Sequence, residues 1–199
     1  MPSKKNIIVG AAAIFLGPSG KAAAPAVGGA NAKYSTTVAA AANWRDVGFT
    51  QDGLEVSNDP SYGEVEVDQL LDAAKIFQDG MGVSLSTTFA EATLENLLIA
   101  WGQADSNLTS SGTSRTWEID GGALGAAPLE RGLIAVGNGP EKANSNEYTE
   151  RTYHAYRVLS VESSSHSLAR ADATVIPVTF RALPDDSGKY GIVRDRVLS

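Results

Sequence analysis

The residues whose types could do chemistry are few, and their spacing decides what each can be. Gly17-Pro18-Ser19-Gly20-Lys21 follows an apolar run and invites comparison with a phosphate-binding loop. Such a loop needs a leading glycine to wrap the phosphates and a Ser or Thr after the lysine to hold magnesium. Phe15 and Ala22 occupy those two positions, so the comparison fails at both ends. Gly137-Asn138-Gly139 lacks the third glycine of a dinucleotide fingerprint and reads as a turn. Asp185-Asp186 sits in a turn-forming context, Pro184 to Gly188, where adjacent carboxylates point apart into water. There is no cysteine, and His154 and His166 are the only histidines, without metal-ligand spacing. No serine lies in a nucleophile-elbow pattern. Asn107-Leu108-Thr109 fits a glycosylation acceptor, a pattern common by chance. The expectation is therefore of a protein that is not an enzyme and carries no catalytic residue, metal or cofactor.

One charged pattern stands out. In Glu64-Val65-Glu66-Val67-Asp68 the carboxylates alternate with valines. On a strand this places Glu64, Glu66 and Asp68 on one face and the valines on the other. The row is either the solvated face of a strand or, if identical copies close into a ring, a negative inner wall. Such a wall repels a phosphate backbone and lets nucleic acid pass without adhering. The formal net charge of −7 argues against specific nucleic-acid binding in the same way.

The elements that would position these residues are mainly strands. Asn6 to Leu16 reads as a strand closed by the Gly17-Gly20 turn cluster. The same stretch, Lys4-Lys5 followed by Ile7 to Leu16 and then Ala22-Ala23-Ala24, also has the outline of a secretory signal. No stretch reaches the length of apolar residues that a membrane span needs. Residues 22–42 hold ten alanines, broken by Pro25 and Gly28-Gly29, and read either as an extended arm or ordered loop that needs a partner surface or as a flexible linker. Asn58 to Gly63 is a turn signal between two strands. Met81 to Phe89 alternates, with Val83, Leu85, Thr87 and Phe89 sharing a face. A helix follows, started near Thr88 or Ala90 with Glu91 in its first turn, packing through Leu94, Leu97, Leu98 and Trp101 and stopped by Gly102. Residues 103–116, half of them Ser or Thr, read as a surface loop. Trp117–Ile119, Leu133–Val136, Tyr153–Val161 and Thr174–Leu183 are further strands. Pro177 in the last of these demands an edge or a bulge. The expected fold is mainly β: two packed antiparallel sheets, a sandwich or partly open barrel, with one flanking helix and long loops. All 199 residues form one domain, with candidate assembly arms or loops at 18–43, 54–63, 103–116 and 189–199.

The chain resembles the tail-tube (major tail) proteins of siphophages at four places in register. These are Asn6–Ala12 with Ile14–Pro18; Trp44 to Gly53, similar to a Trp-x-x-x-Gly-x-Thr-x-x-Gly segment; Val65–Gln69 with Val83–Phe89 and the Glu91–Leu97 helix; and Val175 to Asp185. The resemblance implies hexameric rings of two packed sheets plus a helix, stacked into a tube around a tape-measure protein. The inner wall is then a continuous barrel shared by all subunits, with loops or arms binding the next ring. It implies as partners a tail terminator and distal tail or baseplate proteins, with viral DNA passing through unspecifically and no membrane. The site would be the virion tail, assembled in the host cytoplasm. The strand pair flanking 54–63 would belong to the wall and its connecting loop to ring stacking. The other readings are a related ring protein, such as a tail terminator or secretion-tube subunit, and a secreted β-sandwich adhesin or binding module.

Overall fold

The computed structural model describes residues 7, 8, 10–26, 32–140 and 149–198. The protein is mainly β, with two antiparallel sheets and few helices. The strands are β1 (Ala13–Pro18), β2 (Arg45–Asp46), β3 (Thr50–Val65), β4 (Lys75–Phe89), β5 (Leu108–Ser111), β6 (Ser114–Trp117), β7 (Arg131–Asn138), β8 (Thr149–Ser160), β9 (Ile176–Leu183) and β10 (Gly191–Val197). The helices are α1 (Tyr34–Ala39) and α2 (Leu94–Ala100).

The large sheet runs β2-β1-β7-β8-β9-β4-β3, and β5 pairs with β6 alone. Strand β8 is where the sheet forks. One edge pairs with β7; the other pairs with β10 through Thr149–Ala155 and with β9 through Arg157–Ser160. The two arms of the fork fold back on each other. Ile14, Leu16, Leu133 and Ala135 of β1 and β7 share one core with Leu85, Phe89, Ile176, Val178 and Phe180 of β4 and β9, although the strands are far apart in sheet order. This is the sandwich expected from the alternation, with α2 adding Leu98, Ile99 and Ala100 to the same core. Pro177 fits as the sequence requires. It lies beyond the β8–β9 pairing, and its carbonyl accepts from Ser164 Oγ at 2.7 Å on that open side.

β1 and β7 are buried on both faces. Their alternate residues Phe15, Ile134 and Val136 join a second core with Tyr34, Val38 and Trp44. Runs such as Ile14-Phe15-Leu16 and Leu133-Ile134-Ala135-Val136 are continuous rather than alternating for that reason. The cover is the alanine-rich segment. Trp44 Nε1 donates to the Ala23 carbonyl at 2.9 Å, and Tyr34 Oη donates to the Pro25 carbonyl at 3.0 Å. The Tyr34 and Ser35 amides donate to the Glu150 carboxylate at 2.7 and 3.4 Å. The indole lies so close over Gly17 that a Cβ there would stand 2.5 Å from the ring.

Several expectations change. Strand β1 begins at Ala13, not Asn6; residues 10–12 are irregular, and 1–6 and 9 lie outside the described residues. The part of 18–43 that is described finds its partner surface on its own sheet; 27–31 lie outside it. Residues 54–63 are not a loop: all of them lie in β3, paired with β4. Residues 103–116 hold the β5–β6 hairpin, turned at Gly112-Thr113. Most of 189–199 is β10, a sheet strand fixed to β8 by the bidentate Arg151–Asp195 pair at 2.6 and 2.7 Å. Trp117 ends β6, and Ile119 is exposed outside any strand.

Helix α2 starts later than its sequence suggests. Thr93 is the N-cap, its hydroxyl accepting from the Asn96 amide at 3.2 Å. Glu91 precedes the helix and instead accepts from the Phe49 amide at 3.0 Å. Gly102, at φ 66°, ends it as expected. The packing face is shifted: Leu98 is buried, Leu94 and Leu97 are half-buried, and Trp101 is exposed. Asn96, Ile99 and Ala100 take the interior instead. Asn96 belongs there because its amide donates to the Val47 and Glu91 carbonyls, each at 2.8 Å, and its oxygen accepts from Arg45. Trp101 packs edge-on against Trp117 at 5.4 Å.

Candidate assembly interface

The β3–β4 hairpin is longer than the sheet it belongs to. β9 pairs β4 only over Val83–Phe89. Beyond that, Asp59–Val65 and Lys75–Gly82 pair only with each other. At ~3.4 Å per residue this free ribbon is roughly 24 Å long. Residues 66–74 form its tip, closed by the Ala74 amide donating to the Val65 carbonyl at 2.8 Å.

Register assigns the side chains to faces, because directly opposed residues in an antiparallel pair point the same way. One face continues the core: Leu54 with Thr87 and Val56 with Leu85, then Asn58 with Val83, Pro60 with Met81, Tyr62 with Gln78 and Glu64 with Ile76. The extra residue Asp79 makes a bulge that keeps this order past Ser61. Along the free ribbon the face has no cover, so Tyr62 is 59% and Ile76 61% exposed. The tip adds Leu70 and Leu71, both exposed. Unlike a scatter of single surface apolars, these lie together on one projecting arm.

The opposite face is polar over its sheet-paired length. Glu55, Ser57 and Asp59 stand beside Ser86, Ser84 and Gly82, and Thr179 and Arg181 follow on β9. Ser86 and Thr179 hydroxyls hydrogen-bond at 3.3 Å. Farther out, Phe77 lies over Gly63. Eight carboxylates and one lysine lie between Thr50 and Phe89, a formal −7 equal to that of the whole chain. All of the excess charge is therefore in this hairpin, and the remainder is balanced.

The acidic row does not survive as a row. Glu64 is on β3 but on the apolar face, opposite Ile76. β3 ends at Val65, so Glu66 and Asp68 belong to the tip loop. The period-2 pattern of Glu64–Asp68 outruns its strand, because β4 begins at Lys75 and supplies no partner for residues beyond Val65. All three carboxylates are exposed. The strand-borne acids on the polar face are Glu55 and Asp59 of β3 and the bulged Asp79 of β4, whose carboxylate accepts from the Ser61 hydroxyl; the Asn58–Gly63 turn signal hides the first two by breaking the strand there. With Asp59 and Pro60 on an edge strand, the missing Pro60 amide hydrogen costs no pairing on the outer side.

Free backbone edges accompany the arm. Among the described residues β3 and β2 end the large sheet, and β10 pairs by one edge only. Between β10 and the base of the hairpin lies an apolar groove of about 190 Å³ lined by Val56, Val83, Tyr190, Ile192 and Val193. The Tyr190 hydroxyl donates to the Met81 carbonyl at 2.7 Å and ties the ribbon's base to this groove.

The other residues weighed for chemistry lie apart. Lys21 is in a short 3-10 turn. Asp185 closes its own turn by accepting from the Ser187 and Lys189 amides, each at 2.9 Å. His166 is exposed, while His154 is buried in β8 between Trp44 and Tyr156. Burial, and then the nearby Arg194 charge, hold its pKa down to about 4. Among the described residues no group of three or more His, Asp or Glu could hold a metal ion, and no helix is long and apolar enough to cross a membrane.

No family model and no curated protein matches the sequence.

Proposed function

We propose that the protein is a self-assembling structural subunit, a phage tail-tube protein whose copies form stacked rings. The observation that carries this reading is the β3–β4 ribbon: an arm with an uncovered apolar face, unpaired strand edges and the whole excess negative charge. A monomer gains nothing from exposing such a surface, whereas a neighbour that pairs its edge and covers its apolar face gains both hydrogen bonds and burial. In a ring the polar face with Glu55 and Asp59 becomes the inner wall, and the apolar face packs outward on the protein layer. A wall of carboxylates, serines and threonines offers a phosphate polymer no cationic hold. The partners are then further copies, a tape-measure protein and the proteins that end the tail.

Negative-stain microscopy of the purified full chain tests this. Rings or tubes with a central channel are the expected outcome. A monomer that stays monomeric to millimolar concentration, with no such particles, overturns it.

A further inference from the structure

The segment that covers the second core also roofs a cavity of about 240 Å³. Its walls come from four elements: Lys21 on the turn after β1, Tyr34 on α1, Thr152, His154 and Tyr156 on β8, and Ile192 and Arg194 on β10. Two cations, an imidazole and hydroxyl groups line it, and no carboxylate among the described residues does. That is unusual for a chain with seven more acids than bases. His154 is 93% withdrawn from solvent, and its Nε2 is buried without a hydrogen-bond partner. A buried polar atom left unpaired is destabilising, and an anion near the ring offsets this by favouring the protonated imidazole.

We infer that this cavity is an oxyanion site, taking a carboxylate or phosphate group between Lys21, Arg194 and the His154 imidazole. An oxyanion supplies what the walls lack: a negative charge against Lys21, Arg194 and the imidazole that lines the cavity with them. Among the described residues, Lys21 and Arg194 are the only charged groups that line the cavity with His154, both positive. Bringing in an anion therefore reverses the local field, and the imidazole takes up a proton as the anion binds. The tyrosines at Tyr34 and Tyr156 and the hydroxyl of Thr152 set the width of the opening and select a small group. The oxyanion comes either from a free anion or from a carboxylate on a second copy. The site stands on its own residues and does not depend on the tail-tube reading.

With two histidines in the chain, selective 13C-histidine NMR of the full-length protein gives one signal for the site and one internal control, the exposed His166. Inorganic phosphate, titrated against chloride at matched ionic strength, is expected to raise the His154 midpoint by about one unit or more. The His166 midpoint moves little. In Lys21→Ala/Arg194→Gln the phosphate concentration needed rises at least about tenfold, while the thermal midpoint in chloride stays at the wild-type value. Equal movement of the two histidines, no movement of His154, or an unchanged response in the double variant overturns the site. Acetate tests the carboxylate. If phosphate also lowers self-association at matched ionic strength, the anion is supplied by a second copy; if self-association is unaffected, it is supplied free. Both outcomes require the site.

Discussion

Two strand pairs of this molecule are built on opposite principles. β1 and β7 are short and buried on both faces, Ile14, Leu16 and Leu133 in one core and Phe15, Ile134 and Val136 in the other. β3 and β4 are twice as long and, over their outer halves, buried on neither. The first pair is stabilised by what lies above and below it. The outer ribbon has only its own ladder, and isolated two-stranded ribbons are marginal in water. The buried cores and the uncovered apolar face are thus separated in space. The outer ribbon contributes no residue to either core.

Phe15→Ala is the strongest test of that separation. The side chain is 1% exposed and packs beneath Tyr34, Val38 and Trp44. Truncation should cost ~3–5 kcal/mol by loss of burial plus the cavity left behind. Chemical denaturation of the variant checks this. A loss below about 1 kcal/mol would mean that the second core is not a structural core at all.

The pH dependence should come from the same side of the sheet. His154 is held neutral, its pKa down near 4, by burial and by Arg194. The unfolded chain titrates near ~6.5, so between these values the unfolded state binds a proton that the folded state refuses. Stability is therefore unaffected above about pH 7, falls as pH drops through 6.5, and levels off below about 4. From pH 7 to pH 5 the loss attributable to this residue is about 2 kcal/mol. The difference between wild type and His154→Gln, measured in chloride, isolates it from carboxylate titrations. Parallel curves for the two proteins would remove the histidine from the account.

Glu150 is the tie between the cover and the sheet. It is 7% exposed and accepts from the Tyr34 and Ser35 amides. Glu150→Gln keeps the shape but replaces an ionised acceptor with a neutral one, for an expected cost of ~1–2 kcal/mol. Hydrogen exchange at Tyr34 and Ser35 should quicken before exchange in β1. If both quicken together, the cover and the sheet are one unit.

How much of this was legible follows from where burial is one-sided. β4 and β9 were plain because Leu85, Thr87 and Phe89, and Ile176, Val178 and Phe180, alternate against a single core. The double-faced β1 gave an apolar run whose length could not mark its start at Ala13. β10 was hidden because Ile192, Val193 and Val197 are all partly exposed, so Gly191–Val197 shows no clean period. Asn58-Asp59-Pro60 looked like a turn because turn propensity is local. The long-range pairing with Met81-Gly82-Val83 outweighs it, and on an edge strand Pro costs little. Of the candidate site, the carboxylates were visible as composition. Their division between two faces and a tip was not, because it depends on where β3 stops and on the bulge at Asp79.

The smallest expected change in stability belongs to the ribbon, and that smallness is what gives it value. Tyr62 and Ile76 lie on the uncovered face and touch no core. Tyr62→Ser/Ile76→Ser should alter the unfolding free energy of the monomer by no more than about 0.5 kcal/mol, as surface changes do. If the arm is an assembly surface, the same pair should weaken self-association at least about tenfold, since burying two such side chains is worth ~1.5–3 kcal/mol each. Sedimentation of wild type and variant side by side separates the two effects. Unchanged association with unchanged stability would leave the arm's apolar face without a use, and the assembly reading would fall. A large loss of monomer stability would show instead that the ribbon belongs to the body, and the contrast between the two strand pairs would be mistaken.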